Sequence, residues 1–475
     1  MNIAFVTSEI FPYSKTGGLA DIANFLPKGL NKLGHQVTVF TPYYQNISKY
    51  HQDMKLLGRK NIMMGGIETI VNYFKMTKEG IDLIFIQNMH YFERERFYGY
   101  NDDAERFTCF SFAVLEGLEF LKNVPDIMHL NDWQTGMIPY LLDKHYRYQK
   151  KDYKDIHTML TIHNLEYQGN FDSYVSRFFN TDFDYTYIHF DRVNFLKAGI
   201  EKASMITTVS PNYRNEILTS QYGFTLDGTL HKRSSDLYGV LNGLDQDTFN
   251  PKIDSYIEKF DIERVEQGKI ANKNKLYNQF NLGNEYHLPL VVYIGRLASQ
   301  KGLWMIKETI EGIISNTRAK FFFLGSGDEH YQNFFRYLTE KYPGKVGNYI
   351  GYNEALAHRI YAASDIFLMP SEFEPCGLGQ MIAMNYGSLP VVRETGGLKD
   401  TVIPYNKFTQ SGTGFTFTNL SAFEFKDKVY EAIELYHTNP KEWINLVHQA
   451  MNQDFSNEKM AANYEKLYKK LMGDN

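Results

Sequence analysis

A chain of 475 residues, 43% hydrophobic and 22% charged, is too long for one ordinary core and has a normal globular composition, so it predicts two large domains. A formal net charge of -5 lacks the concentrated basic face that a nucleic-acid partner requires, and two cysteines, Cys109 and Cys376, exclude a disulfide framework and a zinc cluster. No apolar run reaches membrane-spanning length, and no basic, cleavable leader precedes the first strand, so a cytoplasmic chain away from membranes is expected.

Ile3 to Thr7 reads as the first strand. The stretch Tyr13-Ser14-Lys15-Thr16-Gly17-Gly18-Leu19-Ala20-Asp21 then opens a helix with Ile22, Leu26, Leu30 and Leu33 on one face, which stops at Gly34. Gln36 to Phe40 completes a βαβ unit. Glycines let a ligand approach the backbone, and the first amides of a helix point outward with the positive end of its dipole, so an anion is expected on Gly17 and Gly18 with Lys15 beside it. The same glycine pair also fits an ordinary loop with a helix cap.

Tyr43 to Lys78 has a mixed pattern with turns expected at Gly58 and Gly65-Gly66, followed by a strand from Ile81 to Gln87. Tyr91 to Tyr98 mixes charge with aromatics and reads as a surface loop, and Phe107 to Leu121 has helical spacing. The strand Asp126 to Leu130 ends in Asn131-Asp132-Trp133, and Thr158 to Ile162 ends in His163-Asn164. Ile206 to Val209 and Tyr238 to Leu241 follow in the same alternation with helices, which is the signature of a doubly wound parallel sheet.

A turn-rich connection from Asn242 to Pro251 separates this half from a restart of the pattern at Leu290 to Ile294. We therefore divide the chain into 1–245, 246–455 and a terminal helix from Ser456 that docks through Met460, Tyr464, Leu467, Tyr468 and Leu471. In the second half Gly295 to Gly302, Gly325 to Gly327, Pro370-Ser371 and Arg393 to Gly397 each follow an apolar strand.

The glycines and the candidate polar groups Lys15, Asp132, His163, Arg296, Lys301, Glu374 and Thr395 thus cluster beyond the carboxyl ends of strands, where open α/β sheets bind ligands. With two such domains, a cleft offering one carboxyl edge from each is the expected site. Arg296 and Lys301, five apart, can bring a guanidinium and an ammonium onto one diphosphate, although such pairs are also common on solvated surfaces. Thr395-Gly396-Gly397 repeats the opening amide cradle, and Glu374 lies near a helix start, where it can accept from sugar hydroxyls or merely cap. Cys376 reads as a small buried residue of a tight turn; His163 and Asp132 are compatible with acid, base or hydrogen-bonding roles and equally with structural ones. The opening loop lacks the Gly-x-Gly-x-x-Gly pattern of a dinucleotide dehydrogenase, and the Asp-x-Asp pairs at Asp182 and Asp245 end no clear strand, so no metal site is expected.

Seven motifs now stand in order: Lys15-Thr-Gly-Gly-Leu-Ala-Asp21, Asn131-Asp-Trp133, Thr161-Ile-His163-Asn164, Val240-Leu-Asn-Gly-Leu-Asp245, Gly295-Arg-Leu297 with Gln300-Lys-Gly302, Glu374-Pro-Cys-Gly-Leu378 and Thr395-Gly-Gly-Leu-Lys-Asp400. Together they resemble the bacterial glycogen synthase and plant starch synthase family from end to end. The resemblance implies a GT-B fold of two Rossmann-like domains, and transfer of glucose from ADP-glucose to the 4-hydroxyl of an α-1,4-glucan with retention, without a metal or resident cofactor. It implies that Arg296 and Lys301 neutralise the leaving diphosphate, assisted by the amides of Gly18, Gly396 and Gly397. Glu374 would hold glucose hydroxyls, with Cys376, Gly377, Leu378 and Thr395 in the same nucleotide-sugar pocket. His163 would hydrogen-bond the transferred glucose and support positive charge at its anomeric carbon, with Lys15 and Asp21 completing the first-domain side. Asp132 would lie near the acceptor or the sugar, and Tyr352 would stack on adenine. The chain departs from many members at Asn131 and Gln134, where they carry His, at Phe249, where they carry Trp, and at Ile382, where another large retaining GT-B family carries a second Glu.

Overall fold

The computed structural model describes residues 1–473, and these form two compact units. The first is Met1–Gly243 together with the segment from Asn457 onward; the second is Leu244–Ser456. The strands, in chain order, are β1 Asn2–Val6, β2 Gln36–Pro42, β3 Lys55–Met64, β4 Ile67–Lys78, β5 Ile81–Gln87, β6 Ile127–Asn131, β7 His157–Ile162, β8 Asn170–Phe171, β9 Ile188–His189, β10 Arg192–Asn194, β11 Met205–Thr208 and β12 Leu237–Gly239 in the first unit. In the second they are β13 Leu290–Ile294, β14 Lys320–Gly325, β15 Val346–Ile350, β16 Ile366–Met369, β17 Leu389–Arg393 and β18 Phe415–Phe417.

The main sheet of the first unit has the order β12-β11-β7-β6-β1-β2-β5-β4-β3, all parallel from β12 to β5. Its centre is buried on both faces, which is why Ile3 to Val6 of β1 and all of β6 are buried without alternation, the polar His129 and Asn131 included. From β1 the chain builds outward through β2 on one side and through β6 on the other, so the topological switch point lies between β1 and β6. The second unit repeats the construction as β15-β14-β13-β16-β17-β18, all parallel, with its switch point between β13 and β16. Loops beyond the carboxyl ends at a switch point diverge and leave a crevice. In this chain those loops are the ones after β1, β6, β13 and β16.

Two regions differ from the sequence reading. Tyr43 to Lys78 contains the antiparallel hairpin β3-β4, turned at Gly65-Gly66; Gly58 is no turn but lies in β3 at a register shift, where a Cβ would come within 2.8 Å of the Phe120 ring. Its many exposed residues hide the alternation that marks a half-buried strand. The stretch Tyr91 to Tyr98 is not a surface loop throughout, because Tyr91 and Phe92 are core residues and the Tyr98 hydroxyl is hydrogen-bonded beneath the opening loop.

The terminal helix Asn457–Met472 belongs to the first unit. It buries Met460, Ala461, Tyr464 and Tyr468, and each fully buried large side chain is worth about 1.5–3 kcal/mol. Gly29 of the helix Gly18–Lys32 makes the approach possible, since a Cβ there would stand 2.7 Å from Ala461 Cβ. Two polar contacts fix the register: Asn457 Nδ2 donates to Phe25 O at 2.6 Å, and the Tyr468 hydroxyl meets buried His129 Nδ1 at 2.6 Å. The connection after Gly243 is anchored in the second unit, where Asp254 Oδ2 accepts from His358 Nδ1 at 2.7 Å and from the Tyr386 hydroxyl at 2.5 Å. Phe249 stacks on the same His358 ring at 5.0 Å, a structural reason for an aromatic at that position. Among the described residues no helix is long and apolar enough to cross a membrane.

Candidate functional site

The loop after β1 brings Lys15 to the start of the helix Gly18–Lys32. Its Nζ lies 2.7 Å from Asp21 Oδ1 and 5.2 Å from the centre of the Phe11 ring, so Lys15 and Asp21 form one paired group. The loop owes its shape to Glu9, which the sequence reading did not single out. Its buried carboxylate accepts from Thr16 N at 2.5 Å, Thr16 Oγ1 at 2.6 Å, Gly17 N at 3.4 Å and the Tyr98 hydroxyl at 2.8 Å. The amide of Gly17, expected to hold a ligand anion, therefore already faces an internal one, and Gly18 is the glycine that begins the helix.

At the ends of β6 and β7 the side chains of Asn131 and Asp132 interlock with His163. Asp132 has a left-handed backbone (φ 56°), a costly conformation for a side chain with a Cβ, and it is held there by its own carboxylate. Oδ1 accepts from the main-chain amides of His163 at 2.7 Å and Asn164 at 3.4 Å. Desolvation pushes this carboxyl up to about 7; the two amides oppose the rise and the Glu9 carboxylate adds to it. Asp132 thus acts on the His163 loop, whose main chain it holds in place. The His163 ring is half-buried and its Nε2 lies 2.9 Å from Asn131 Oδ1. Burial lowers its pKa to about 3, so the ring is neutral at neutral pH.

In the second unit the loops after β13 and β16 meet directly. Lys301 Nζ donates to Glu374 Oε2 at 2.6 Å, and Ser371 Oγ donates to the same oxygen at 3.0 Å. The close approach depends on Gly302, whose left-handed backbone (φ 65°) leaves room where a Cβ would stand 1.9 Å from Pro370 O. Glu372 N donates to Gln300 O at 2.9 Å and Gln300 Nε2 donates to Phe373 O at 3.2 Å, so the two loops are stitched together. Arg393, which sequence reasoning passed over, is buried and donates through Nε to Ser371 O at 3.0 Å and through its other nitrogens to Glu372 O and Thr418 O. Arg296 lies at an exposed position after β13 and pairs with no carboxylate among the described residues.

The glycines at 396 and 397 serve packing. A Cβ on Gly396 (φ 43°) would stand 1.9 Å from Glu374 O, and one on Gly397 would stand 2.3 Å from Cys376 O. Gly397 N donates to Glu374 O and Pro375 O, both at 3.1 Å, and so helps to hold the Glu374 loop. Thr395 stands at the position before this short helix, Gly396–Thr401, with an extended backbone and no side-chain capping bond. Cys376 is buried in the turn, Gly377 has φ 73°, and Leu378 precedes the helix Gly379–Asn385. Tyr352 follows β15 at the same carboxyl ends and is 71% exposed.

The structure therefore joins Lys15 with Asp21, Asp132 with His163, and Lys301 with Glu374, Cys376, Gly396 and Gly397. The overlooked Glu9, Ser371 and Arg393 also lie at carboxyl ends of strands, so the strand-end rule alone could have found them.

Residues 2–232 match the family model described as the starch synthase catalytic domain, and residues 278–449 match the glycosyl transferases group 1 model. Over 476 residues the chain is 60% identical to a glycogen synthase of Acholeplasma laidlawii, covering 100% of each. Among solved structures it is similar to the catalytic domain of starch synthase IV from Arabidopsis thaliana bound to ADP and acarbose, at 34% identity and TM-score 0.89 over 99% of each chain. A sucrose-phosphate synthase from Thermosynechococcus elongatus, at 17% identity and TM-score 0.64 over 100% of each, shares the fold.

Proposed function

The chain belongs to the starch synthase and bacterial glycogen synthase family of GT-B glycosyltransferases, and from that premise we propose that it acts as an ADP-glucose-dependent glycogen synthase in the cytoplasm. Glucose would pass to the non-reducing-end 4-hydroxyl of an α-1,4-glucan with retention of configuration. The observation that carries this reading is the cluster at the switch point of the second unit: Lys301, Glu374 and Ser371 in direct contact, with Arg296 on the same loop as Lys301.

The chemistry asked of these residues is charge stabilisation. The bond from the anomeric carbon to the diphosphate breaks with its electron pair leaving on ADP, a new bond forms to the acceptor 4-oxygen on the same face, and the acceptor proton passes to the departing diphosphate oxygen. Arg296 and Lys301 meet the charge gathering on the diphosphate. Glu374 accepts hydrogen bonds from glucose hydroxyls while Lys301 and Ser371 fix its Oε2. His163, neutral, hydrogen-bonds the transferred glucose, and Lys15 with Gly18 serves the first unit's share. Tyr352, exposed and aromatic, is assigned to the adenine. Arg296 and Lys301 supply the positive charge that the leaving diphosphate needs, so this reading uses neither a metal nor a resident cofactor.

Purified protein incubated with glycogen and either ADP-glucose or UDP-glucose tests this, scored for nucleoside diphosphate release and chain growth. ADP release with elongation is expected. Absence of release with both donors would refute the activity, and preference for UDP-glucose would refute the donor assignment.

A further inference from the structure

The Asn131 side chain bridges two fixed points, and its chemistry determines which nitrogen of His163 carries the proton. Asn131 is buried; its Nδ2 lies 2.9 Å from the main-chain oxygen of Val6 at the end of β1, and its Oδ1 lies 2.9 Å from His163 Nε2. A main-chain carbonyl can only accept, so the Asn131 amide nitrogen must face Val6 and the amide oxygen must face the ring. That oxygen also only accepts, so His163 Nε2 must be the protonated nitrogen. The Asp132 carboxylate holds the ring's own main-chain amide at 2.7 Å and so fixes where the ring stands. Nδ1 has no hydrogen-bond partner among the described residues and, the ring being neutral, presents a lone pair.

We propose that Asn131 is a positioning residue that locks His163 as the Nε2-protonated tautomer, so that the ring meets substrate as an acceptor, taking a hydrogen bond from a sugar hydroxyl at Nδ1. The proposal deepens the glucosyl-transfer reading and rests on it for the identity of the hydroxyl-bearing ligand. A locked acceptor demands that the hydroxyl donate, so it orients that hydroxyl's lone pairs away from the ring. It also excludes substrate groups at this point that can only accept.

The same logic predicts which replacements work. Imidazole can donate from one nitrogen to Val6 O and accept at the other from His163, so Asn131→His preserves the relay. Leucine, branched at Cγ like asparagine though bulkier, can do neither, so Asn131→Leu frees the ring.

The test is nitrogen NMR of the full chain carrying ¹⁵N-histidine, with the His163 signals assigned by their loss in His163→Gln. At neutral pH wild type is expected to show Nε2 in the protonated range and Nδ1 in the unprotonated range. Asn131→His should retain that pattern, and Asn131→Leu should move both nitrogens toward the averaged values of exchanging tautomers. Turnover on ADP-glucose and glycogen should fall about tenfold to a hundredfold in Asn131→Leu, with KM little changed, and recover in Asn131→His. A protonated Nδ1 in wild type, or an unchanged nitrogen pattern in folded Asn131→Leu, overturns the proposal. The nitrogen shifts are read without substrate, so a wild-type protein that transfers no glucose would defeat the functional reading alone.

Discussion

Replacing Glu9 tests whether the opening loop is shaped from beneath. In Glu9→Ala the four hydrogen bonds to its carboxylate disappear. Thr16 and Gly17 are exposed, so water can replace the carboxylate for their amides and for the Thr16 hydroxyl; the Tyr98 hydroxyl keeps Ser8 Oγ at 2.8 Å. Charge-assisted bonds contribute about 1.5–3 kcal/mol each before that compensation, and partial replacement by water leaves a net loss of about 2–4 kcal/mol. For a unit of this size, that lowers its melting temperature by roughly 4–7 °C. Glu9→Gln is the informative contrast: its carbonyl oxygen can keep the two amides while its NH2 donates to the hydroxyl oxygens of Thr16 and Tyr98, which can turn to accept. The expected outcome is a fall in kcat/KM for ADP-glucose of about 10–100-fold in Glu9→Ala and within about threefold in Glu9→Gln, beside calorimetry of both. Wild-type kinetics in Glu9→Ala, or equal damage in the two variants, would refute the reasoning.

Lys301→Ala should lower turnover about 10²–10³-fold while glycogen binding is retained, measured by kinetics and by affinity electrophoresis in glycogen gels; equal loss of both would show a purely structural lysine. Gly396→Ala combines a positive φ with a Cβ only 1.9 Å from Glu374 O, so it should cost about 2–4 kcal/mol in urea unfolding and displace Glu374, and a variant with wild-type stability and turnover would contradict the close approach. Stability should also fall in acid. Burial lowers His129 and His163 to about 3, against about 6.5 when unfolded. The native state therefore binds fewer protons in that window, and stability present above about pH 6.5 is lost toward pH 3, with a slope of up to about 1.4 kcal/mol per pH unit for each histidine. Asp132, raised to about 7, has the opposite sign: its contribution is present at low pH and lost as pH rises through 7, and it offsets part of the histidine slope between about pH 4 and 6.5. His129→Gln should flatten the acid limb of unfolding free energy against pH, and an unchanged slope would remove His129 from the account.

The legible parts of this chain were those written locally. Strand ends carrying glycine and charge are visible in sequence because the turn and the functional group lie within a few residues, which is how Lys15, Arg296, Lys301 and Glu374 were found. The pairing of Lys301 with Glu374 spans 73 residues and becomes visible only once β13 and β16 are known to be neighbours. Glu9 and Tyr98 are 89 residues apart, and nothing in the run Tyr91 to Tyr98 distinguishes a charged loop from aromatics turned inward. Gly396 and Gly397 both require glycine, and the approach that requires it is that of the carbonyls of Glu374 and Cys376. A glycine motif reports a close approach without saying what approaches.

The charge arrangement separates the roles of the three cations proposed for the diphosphate. Lys15 and Lys301 each begin against a carboxylate, Asp21 at 2.7 Å and Glu374 at 2.6 Å, so each pair contributes little net field at a distance. What the pairs contribute is position, since an ammonium has three donors and spends one on its carboxylate, leaving two aimed from a fixed point. Arg296 has no carboxylate partner among the described residues, and a guanidinium offers phosphate oxygens a planar, two-pronged face. On the proposed function, attraction of the donor diphosphate would fall mainly to Arg296, whereas Lys301 would matter most when charge builds on the leaving oxygen and the attraction outgrows that of Glu374. An interaction that strengthens only as the bond breaks raises turnover rather than ground-state affinity. That is the physical reason to expect the loss in Lys301→Ala to appear in kcat.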